Sequence, residues 1–179
     1  KPPPPAARVD RHFFVMLHEM FVEPGTATPD PNVMTDFNLF TFNGRAYPGT
    51  DAWVAKKGDR VRFTFGNLSM DSHPIHVHGY AFEEVATDGG ETPKPARRPE
   101  TTVNVPVGST RTVELVATEP GDWAFHCHKS HHTMNPMGHS VPNMIGVSQD
   151  GPEAKIRALL PGYMAMGEKG MGGMHDMGR

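Results

Sequence analysis

The stretch from His126 to Met137 restricts the fold of this chain more than any other, because its side chains must converge with partners from elsewhere. Its sequence is His-Cys-His-Lys-Ser-His-His-Thr-Met-Asn-Pro-Met, which combines a soft thiol, several imidazoles and two thioethers. Two His, one Cys and a weak axial Met are the ligands of copper sites that transfer electrons. Cys127 is the single cysteine of the chain, so it cannot form an internal disulfide. We therefore interpret this thiol as a metal ligand and not as an ordinary buried cysteine.

A second histidine cluster, His73-Pro74-Ile75-His76-Val77-His78-Gly79, lies upstream of the first. Successive side chains on a strand point to opposite faces of the sheet. If residues 123–128 are extended, Cys127 faces one way and its two flanking histidines face the other, so one strand can serve two metal sites. The paired histidines of the upstream cluster, His76 and His78, should likewise share a face.

The first expected site is a blue-copper arrangement of one thiolate, two imidazoles and a long axial thioether. Four residues separate Cys127 from His132, and four more separate His132 from Met137. Met134 is an alternative axial ligand, although Met137 is preferred. His131 is one residue off this spacing, and it is a surface neighbour, a support for the ligands or a residue on the substrate side. The predicted ligands are His73, Cys127, His132 and Met137.

The second expected site is a set of four imidazoles that share one face. Such a set can hold copper near neutral pH, but it cannot fill a cluster of three copper ions alone. Zinc is an alternative metal because it also binds His and Cys. The axial Met and the single Cys among many His favour copper. The predicted ligands of this site are His76, His78, His126 and His128.

Short alternating segments separated by turn signals predict an all-β chain. The 18 prolines and 19 glycines are typical of a turn-rich β fold more than of a helical one. Residues 60–65 alternate strictly between polar and apolar side chains, as expected of a half-buried strand. The repetition of such segments indicates a β-sandwich. Strands are predicted at 12–22, 36–42, 53–55, 60–65, 76–85, 101–105, 112–116 and 123–128, with an irregular loop at 88–99.

The two ends of the chain differ in composition from the predicted sandwich. Residues 1–11 are expected to form a Pro-rich arm or linker, and residues 12–150 a single domain. Residues 151–179 allow a short helix near 153–160 and end in a flexible tail rich in Met and Gly. The methionines of this tail either collect Cu(I), which thioethers select, or are incidental to a low-complexity end.

Charge and hydropathy exclude two classes of partner. The formal net charge is −3 and no basic stripe is visible, so nucleic acid is not an expected partner. No apolar run approaches the roughly 18 residues that a membrane-spanning helix requires.

Thiolate copper sites with abundant Met are common outside the bacterial cytoplasm, and we therefore expect a periplasmic or extracellular protein.

The chain resembles the C-terminal cupredoxin domain of multicopper oxidases, a family that includes laccases and copper-resistance oxidases. The most specific matching motifs are HPIHVHG at 73–79 and HCHKSHHTMNPM at 126–137; FNGRAYPG at 42–49 and KKGDRVRFTFGN at 56–67 also match. The resemblance covers roughly residues 12–148 and implies a Greek-key β-sandwich of the cupredoxin type. It also implies type 1 copper at the first site. The resemblance assigns His76 to type 2 copper, and to the type 3 pair it assigns His78, His126 and His128.

The function implied by the resemblance is oxidation of a small reducing substrate, a phenol or Cu(I), at type 1 copper. Electrons would pass through Cys127 and its flanking histidines to a trinuclear cluster that reduces dioxygen to water. Family clusters use eight His, and half of these come from two His-x-His motifs in an N-terminal domain. The other histidines near the start of this sequence, His12 and His18, lack that spacing. An N-terminal cupredoxin domain or a second chain is therefore expected to complete the cluster. The alternative is a mononuclear electron carrier or copper-storage module without oxidase activity.

Overall fold

The computed structural model describes residues 8–23, 26–47, 49–133, 154 and 158. Ten strands account for most of the regular structure in these residues, together with short 3-10 helices at Lys94–Ala96 and Ser130–Thr133. The strands are β1 (Arg11–Met20), β2 (Leu39–Phe42), β3 (Arg60–Asn67), β4 (His73–Val77), β5 (Phe82–Thr87), β6 (Gly90–Glu91), β7 (Pro99–Glu100), β8 (Thr102–Val105), β9 (Thr110–Val116) and β10 (Phe125–Cys127).

The described residues divide into two compact units. Residues 8–18 and 51–129 belong to the first unit, which contains strands from both sheets. The described parts of 19–50 and 130–133 belong to the second unit, which contains β2, a bridge between Val22 and Pro29, and the 3-10 helix Ser130–Thr133. In the second unit the Asn38 side chain accepts from the Val22 amide and donates to its carbonyl, both at 2.8 Å.

The larger sheet of the first unit has the strand order β1-β3-β9-β5-β6, with β7 beside β5. Strand β1 runs parallel to β3, whereas the other pairs in this sheet are antiparallel. Alternation in β3 turns every second side chain inward, so that Val61, Phe63 and Phe65 are buried. Asn67 continues this inward row as a polar side chain.

The smaller sheet has the order β10-β4-β8, and both pairings are antiparallel. The Phe125 ring of β10 lies 5.1 Å from the Phe63 ring and 5.8 Å from the Phe65 ring, centroid to centroid. These contacts pack the smaller sheet against β3 of the larger one. Contacts between aromatic rings at these distances contribute to the stability of the core. The prediction of a β-sandwich is confirmed.

Several predicted segment boundaries were wrong. The predicted strand 76–85 is two strands, β4 and β5, which belong to different sheets. They separate because Gly79 has φ of +74°, a left-handed conformation that ends the extended run. The predicted strand 53–55 is not assigned as a strand. The predicted strand 123–128 shortens to Phe125–Cys127, and the loop 88–99 contains β6, β7 and a 3-10 turn.

Other predictions fall wholly or partly outside the described residues. They include the Pro-rich arm, the methionines Met134 and Met137, and the Met-rich tail. Of the segment near 153–160, the structure describes residues 154 and 158, and both are helical. Among the described residues, no helix combines the length and apolarity needed to cross a bilayer.

Candidate metal centre

Pairing of β10 with β4 brings the two histidine motifs side by side. Cys127 lies opposite Ile75, and His126 lies opposite His76. Along β4 the buried positions are His73, Ile75 and Val77, while the side chains between them face the other way. Cys127 is buried on the same side as His73, and the His126 and His76 imidazoles meet on the reverse side. The sheet therefore presents the thiol and the His73 imidazole on one face and the other imidazoles on the reverse face.

The thiol and the first imidazole are close enough to share a metal ion. Cys127 Sγ lies 3.7 Å from His73 Nδ1, and both residues are buried. Transition metals bind a thiolate at about 2.3 Å and an imidazole nitrogen at about 2.0 Å. One ion can therefore contact both atoms across this separation. Soft sulfur with imidazole is a donor set that suits copper.

Burial keeps the His73 imidazole neutral near pH 7. Loss of solvation and, to a lesser extent, the charge of Lys129 lower the pKa of His73, the charge of Asp71 raises it, and the net result is a pKa of about 4. Lys129 Nζ and the Asp71 carboxylate form an ion pair at 3.3 Å, so their effects on the imidazole partly cancel. A metal ligand must be unprotonated. The environment of His73 therefore favours the form that binds metal.

This shift predicts an acid-sensitive fold for the metal-free protein. The pKa of His73 is about 4 in the folded protein, whereas a histidine of the unfolded chain has a pKa of 6.5. The unfolded chain therefore binds the proton first as the pH falls. Stability is therefore lost between pH 6.5 and 4, by about 3 kcal/mol from this residue. Urea unfolding of metal-free protein at pH 7 and pH 4 measures the loss, which should be smaller in His73→Gln. Equal losses in both proteins would contradict the prediction.

The reverse face of the smaller sheet holds a cluster of four imidazoles, centred on His76. The His76 ring centroid lies 4.9 Å from that of His78, 5.5 Å from His126 and 5.2 Å from His128. Ligand nitrogens of three of these residues, His76, His78 and His126, lie within 4.8 Å of one another. The structure thus brings together the four predicted ligands of the second site.

Local hydrogen bonds orient these rings. His126 Nδ1 lies 2.9 Å from the Cys127 carbonyl oxygen, so this nitrogen donates to it, and His76 Nδ1 lies 2.9 Å from Thr102 Oγ1. The Nε2 atoms of His78 and His126 face each other at 3.0 Å. Burial lowers the pKa of His76 and of His126, and the neighbouring imidazoles lower both further. The His76 and His126 rings are therefore biased toward the neutral form that can bind metal.

His132 lies in the second unit, on the 3-10 helix Ser130–Thr133. Its ring is stacked on Phe40 with centroids 4.2 Å apart, and its Nε2 lies 3.7 Å from Glu19 Oε1. The side chains of His132 and Glu19 are both almost wholly inaccessible to solvent. A carboxylate beside a buried imidazole favours an N–H on the nitrogen that faces it, so the other nitrogen of the ring is the one that would bind a metal.

Four polar side chains near the predicted ligands were missed in the sequence. They are Asn67, Ser69, Thr102 and Glu19, each within reach of a predicted ligand or of its neighbour. Two of them carried a signal, since Asn67 and Glu19 occupy inward positions in alternating strands. Polar groups at such positions require partners. Thr102 became recognisable through the pairing of β8 with β4, and Ser69 through the contact of its hydroxyl with His73.

Comparison with known proteins gives the family. The sequence profile of the family described as multicopper oxidase matches residues 23–146. The chain is 34% identical over 148 residues to the multicopper oxidase MmcO of Mycobacterium tuberculosis, covering 76% of this chain and 28% of that protein. It is 33% identical over 93 residues to copper resistance protein A of Pseudomonas syringae pv. tomato, covering 52% of this chain and 14% of that protein.

A solved structure agrees with this result. The blue copper oxidase of Nitrosomonas europaea superposes with a TM-score of 0.63 at 27% identity, covering 74% of this chain and 42% of that one. The chain belongs to the multicopper oxidase family, and its two sheets form the cupredoxin fold. Copper is the cofactor that this family implies, and the donor sets on both faces of the smaller sheet suit it. The chain spans less than half the length of these relatives.

Proposed function

We propose that this chain is the type 1 copper domain of a multicopper oxidase and contributes half of a trinuclear copper cluster. His73, Cys127, His132 and Met137 would hold type 1 copper. His76, His78, His126 and His128 would provide the imidazoles of the half-cluster. The opposite orientation of Cys127 and His126 on β10 is the observation that supports this assignment most strongly.

The chemistry of the bound ions defines what these residues must do. When bound, copper supplies one-electron oxidation of a reducing substrate at the first site and reduction of dioxygen to water at the second. Cys127 is joined through its own backbone to His126 and His128, so a short covalent path links the thiol to the imidazole face. Burial of Cys127 and His73 excludes water from the first site and favours the neutral ligand form of the imidazole.

The imidazole cluster favours an oxidase over a mononuclear electron carrier. A carrier would use the thiol face alone and would leave four clustered histidines on the other face without a role. Four imidazoles are too few for three copper ions, so the remaining ligands would come from an N-terminal cupredoxin domain or a second chain. The reducing substrate would be a phenol or Cu(I), and the location periplasmic or extracellular.

Copper stoichiometry and colour test this proposal. Copper-loaded protein should be blue and bind more than one copper per chain, as measured by metal analysis and visible absorption. His76→Ala and His126→Ala should lower the copper count and retain the blue colour, because they lie on the face opposite Cys127. In the assembled oxidase, the same two variants should abolish dioxygen uptake with a phenol or Cu(I) as donor.

His12→Ala is the matched control for these variants. His12 is exposed on β1, where its Nε2 lies 2.9 Å from Thr64 Oγ1, and it has no place in either proposed site. The control should keep the copper count, the colour and dioxygen uptake. A single copper per chain in wild-type protein, or loss of colour in His76→Ala with folding intact, would overturn the proposal.

A further inference from the structure

We propose that Asn67 and Ser69 are positioning residues that fix the His73 imidazole with its proton on Nε2 and its lone pair on Nδ1 toward Cys127. The chain of contacts runs from Cys127 Sγ to His73, on to Ser69 Oγ and then to Asn67 Oδ1. Its four members are all buried. The consequence for copper rests on the proposed function, whereas the position of the proton does not.

Asn67 determines which atom donates and which accepts at each contact of this series. Its Nδ2 lies 2.7 Å from the Asp71 carbonyl oxygen and 2.9 Å from the Val105 carbonyl oxygen. Carbonyl oxygens only accept, so the amide must present its NH₂ group to them. The amide oxygen then faces Ser69, where it accepts from the backbone N–H at 2.9 Å and lies 2.6 Å from Oγ.

Ser69 has one hydroxyl proton, and the geometry assigns it. The contact between Ser69 Oγ and Asn67 Oδ1 at 2.6 Å joins two oxygens, and the amide oxygen cannot donate. The hydroxyl must therefore donate to Asn67, with the Asp71 carbonyl at 3.1 Å as a second acceptor nearby. Ser69 Oγ is left to accept at its 2.6 Å contact with His73 Nε2. That contact requires a proton on Nε2.

With its proton on Nε2, the neutral ring directs the Nδ1 lone pair toward Cys127 Sγ, 3.7 Å away. The thiol can donate to Nδ1 in the metal-free protein, and a metal would replace that proton. The hydrogen bond to Ser69 also raises the basicity of the ring, as partners of metal-binding histidines generally do. The side chain of His73 is thus prepared for metal before any metal binds.

Nitrogen NMR of the metal-free protein tests the position of the proton directly. In wild-type protein, neutral His73 should carry its proton on Nε2, and Ser69→Thr should preserve this state because it keeps the hydroxyl. Ser69→Ala should give a mixture of the two tautomers. A proton found on Nδ1 of wild-type His73, or an unchanged single tautomer in Ser69→Ala, would overturn the inference.

Copper binding provides a second readout. Ser69→Ala should lower Cu(II) affinity about 10- to 100-fold. If Cu(I) affinity is unchanged, the reduction potential rises by about 59 mV for each factor of ten. Ser69→Thr should restore most of the affinity. Ser109→Ala is the matched control and should behave as wild type, because its hydroxyl donates to the Pro106 carbonyl at 2.8 Å and has no part in the contacts that run from Cys127 to Asn67.

The outcomes separate this inference from the proposed function. Wild-type protein that never turns blue with copper contradicts the proposed function and leaves the tautomer result to stand on its own. Blue wild-type protein whose copper affinity and potential are unaffected by Ser69→Ala contradicts the positioning role alone.

Discussion

Cys127→Ser should abolish the blue colour of the copper-loaded protein. The colour of a type 1 site arises from its copper–thiolate bond, and serine provides no thiolate. Cys127 is the only cysteine in the chain, so no other thiol can replace it. Its side chain is buried beside His73, with Sγ 3.7 Å from Nδ1. We therefore expect visible spectroscopy to show the loss of essentially all blue absorption. Metal analysis should show the loss of one tightly bound copper per chain.

The copper that remains in Cys127→Ser provides the internal control. The imidazoles on the opposite face do not depend on the thiol for their positions, since His126 is paired with His76 across the strands. The variant should therefore keep the copper bound there and keep the circular dichroism of the wild type. A variant that stays blue would contradict the assignment of the thiol as ligand. Loss of all copper with the fold intact would contradict independent binding on the two faces.

The strands were predicted best from the sequence where the alternation of polar and apolar residues alone determines which side chains are buried. Strand β3 is the clearest case, because Val61, Phe63 and Phe65 alternate with polar residues and all three are buried. The division between β4 and β5 was missed because the residues after Gly79, Tyr80-Ala81-Phe82, are apolar enough to continue a strand. The division depends on the left-handed conformation of Gly79, against which the Trp123 ring packs. That contact comes from a residue distant in sequence.

The ligands could be proposed from the sequence because their chemistry is carried by the residue types themselves. A lone Cys between two His has few interpretations, whatever the fold. The residues that orient the ligands could not be proposed in this way. Ser69 is an ordinary polar residue until β4 brings His73 Nε2 within 2.6 Å of its hydroxyl. Glu19 likewise becomes informative only when the chain places its carboxylate 3.7 Å from His132.

Gly79→Ala is expected to be the most destabilising small substitution near the imidazole cluster. A Cβ at Gly79 would lie 2.3 Å from Trp123 Cε3, and φ is +74°. The left-handed conformation costs an alanine about 1–2 kcal/mol, and the overlap adds about 1–3 kcal/mol, so the loss of stability should total about 2–5 kcal/mol. The ring resists displacement because its Nε1–H donates to the Glu119 carbonyl at 3.2 Å and it forms an edge-to-face contact with Tyr80 at a centroid distance of 5.7 Å. Urea unfolding of the metal-free protein measures the loss.

Gly89→Ala separates the two contributions. Gly89 has a similar φ of +82°, but no atom lies within 4 Å of a Cβ built there, so only the backbone cost of about 1–2 kcal/mol applies. Removing the ring with Trp123→Ala should lower the cost of Gly79→Ala to the same value, because the overlap disappears. A double-mutant cycle isolates this coupling. Equal costs at Gly79 and Gly89 in the wild-type background would mean that the ring moves aside freely, and that Trp123 does not fix the turn that follows His78.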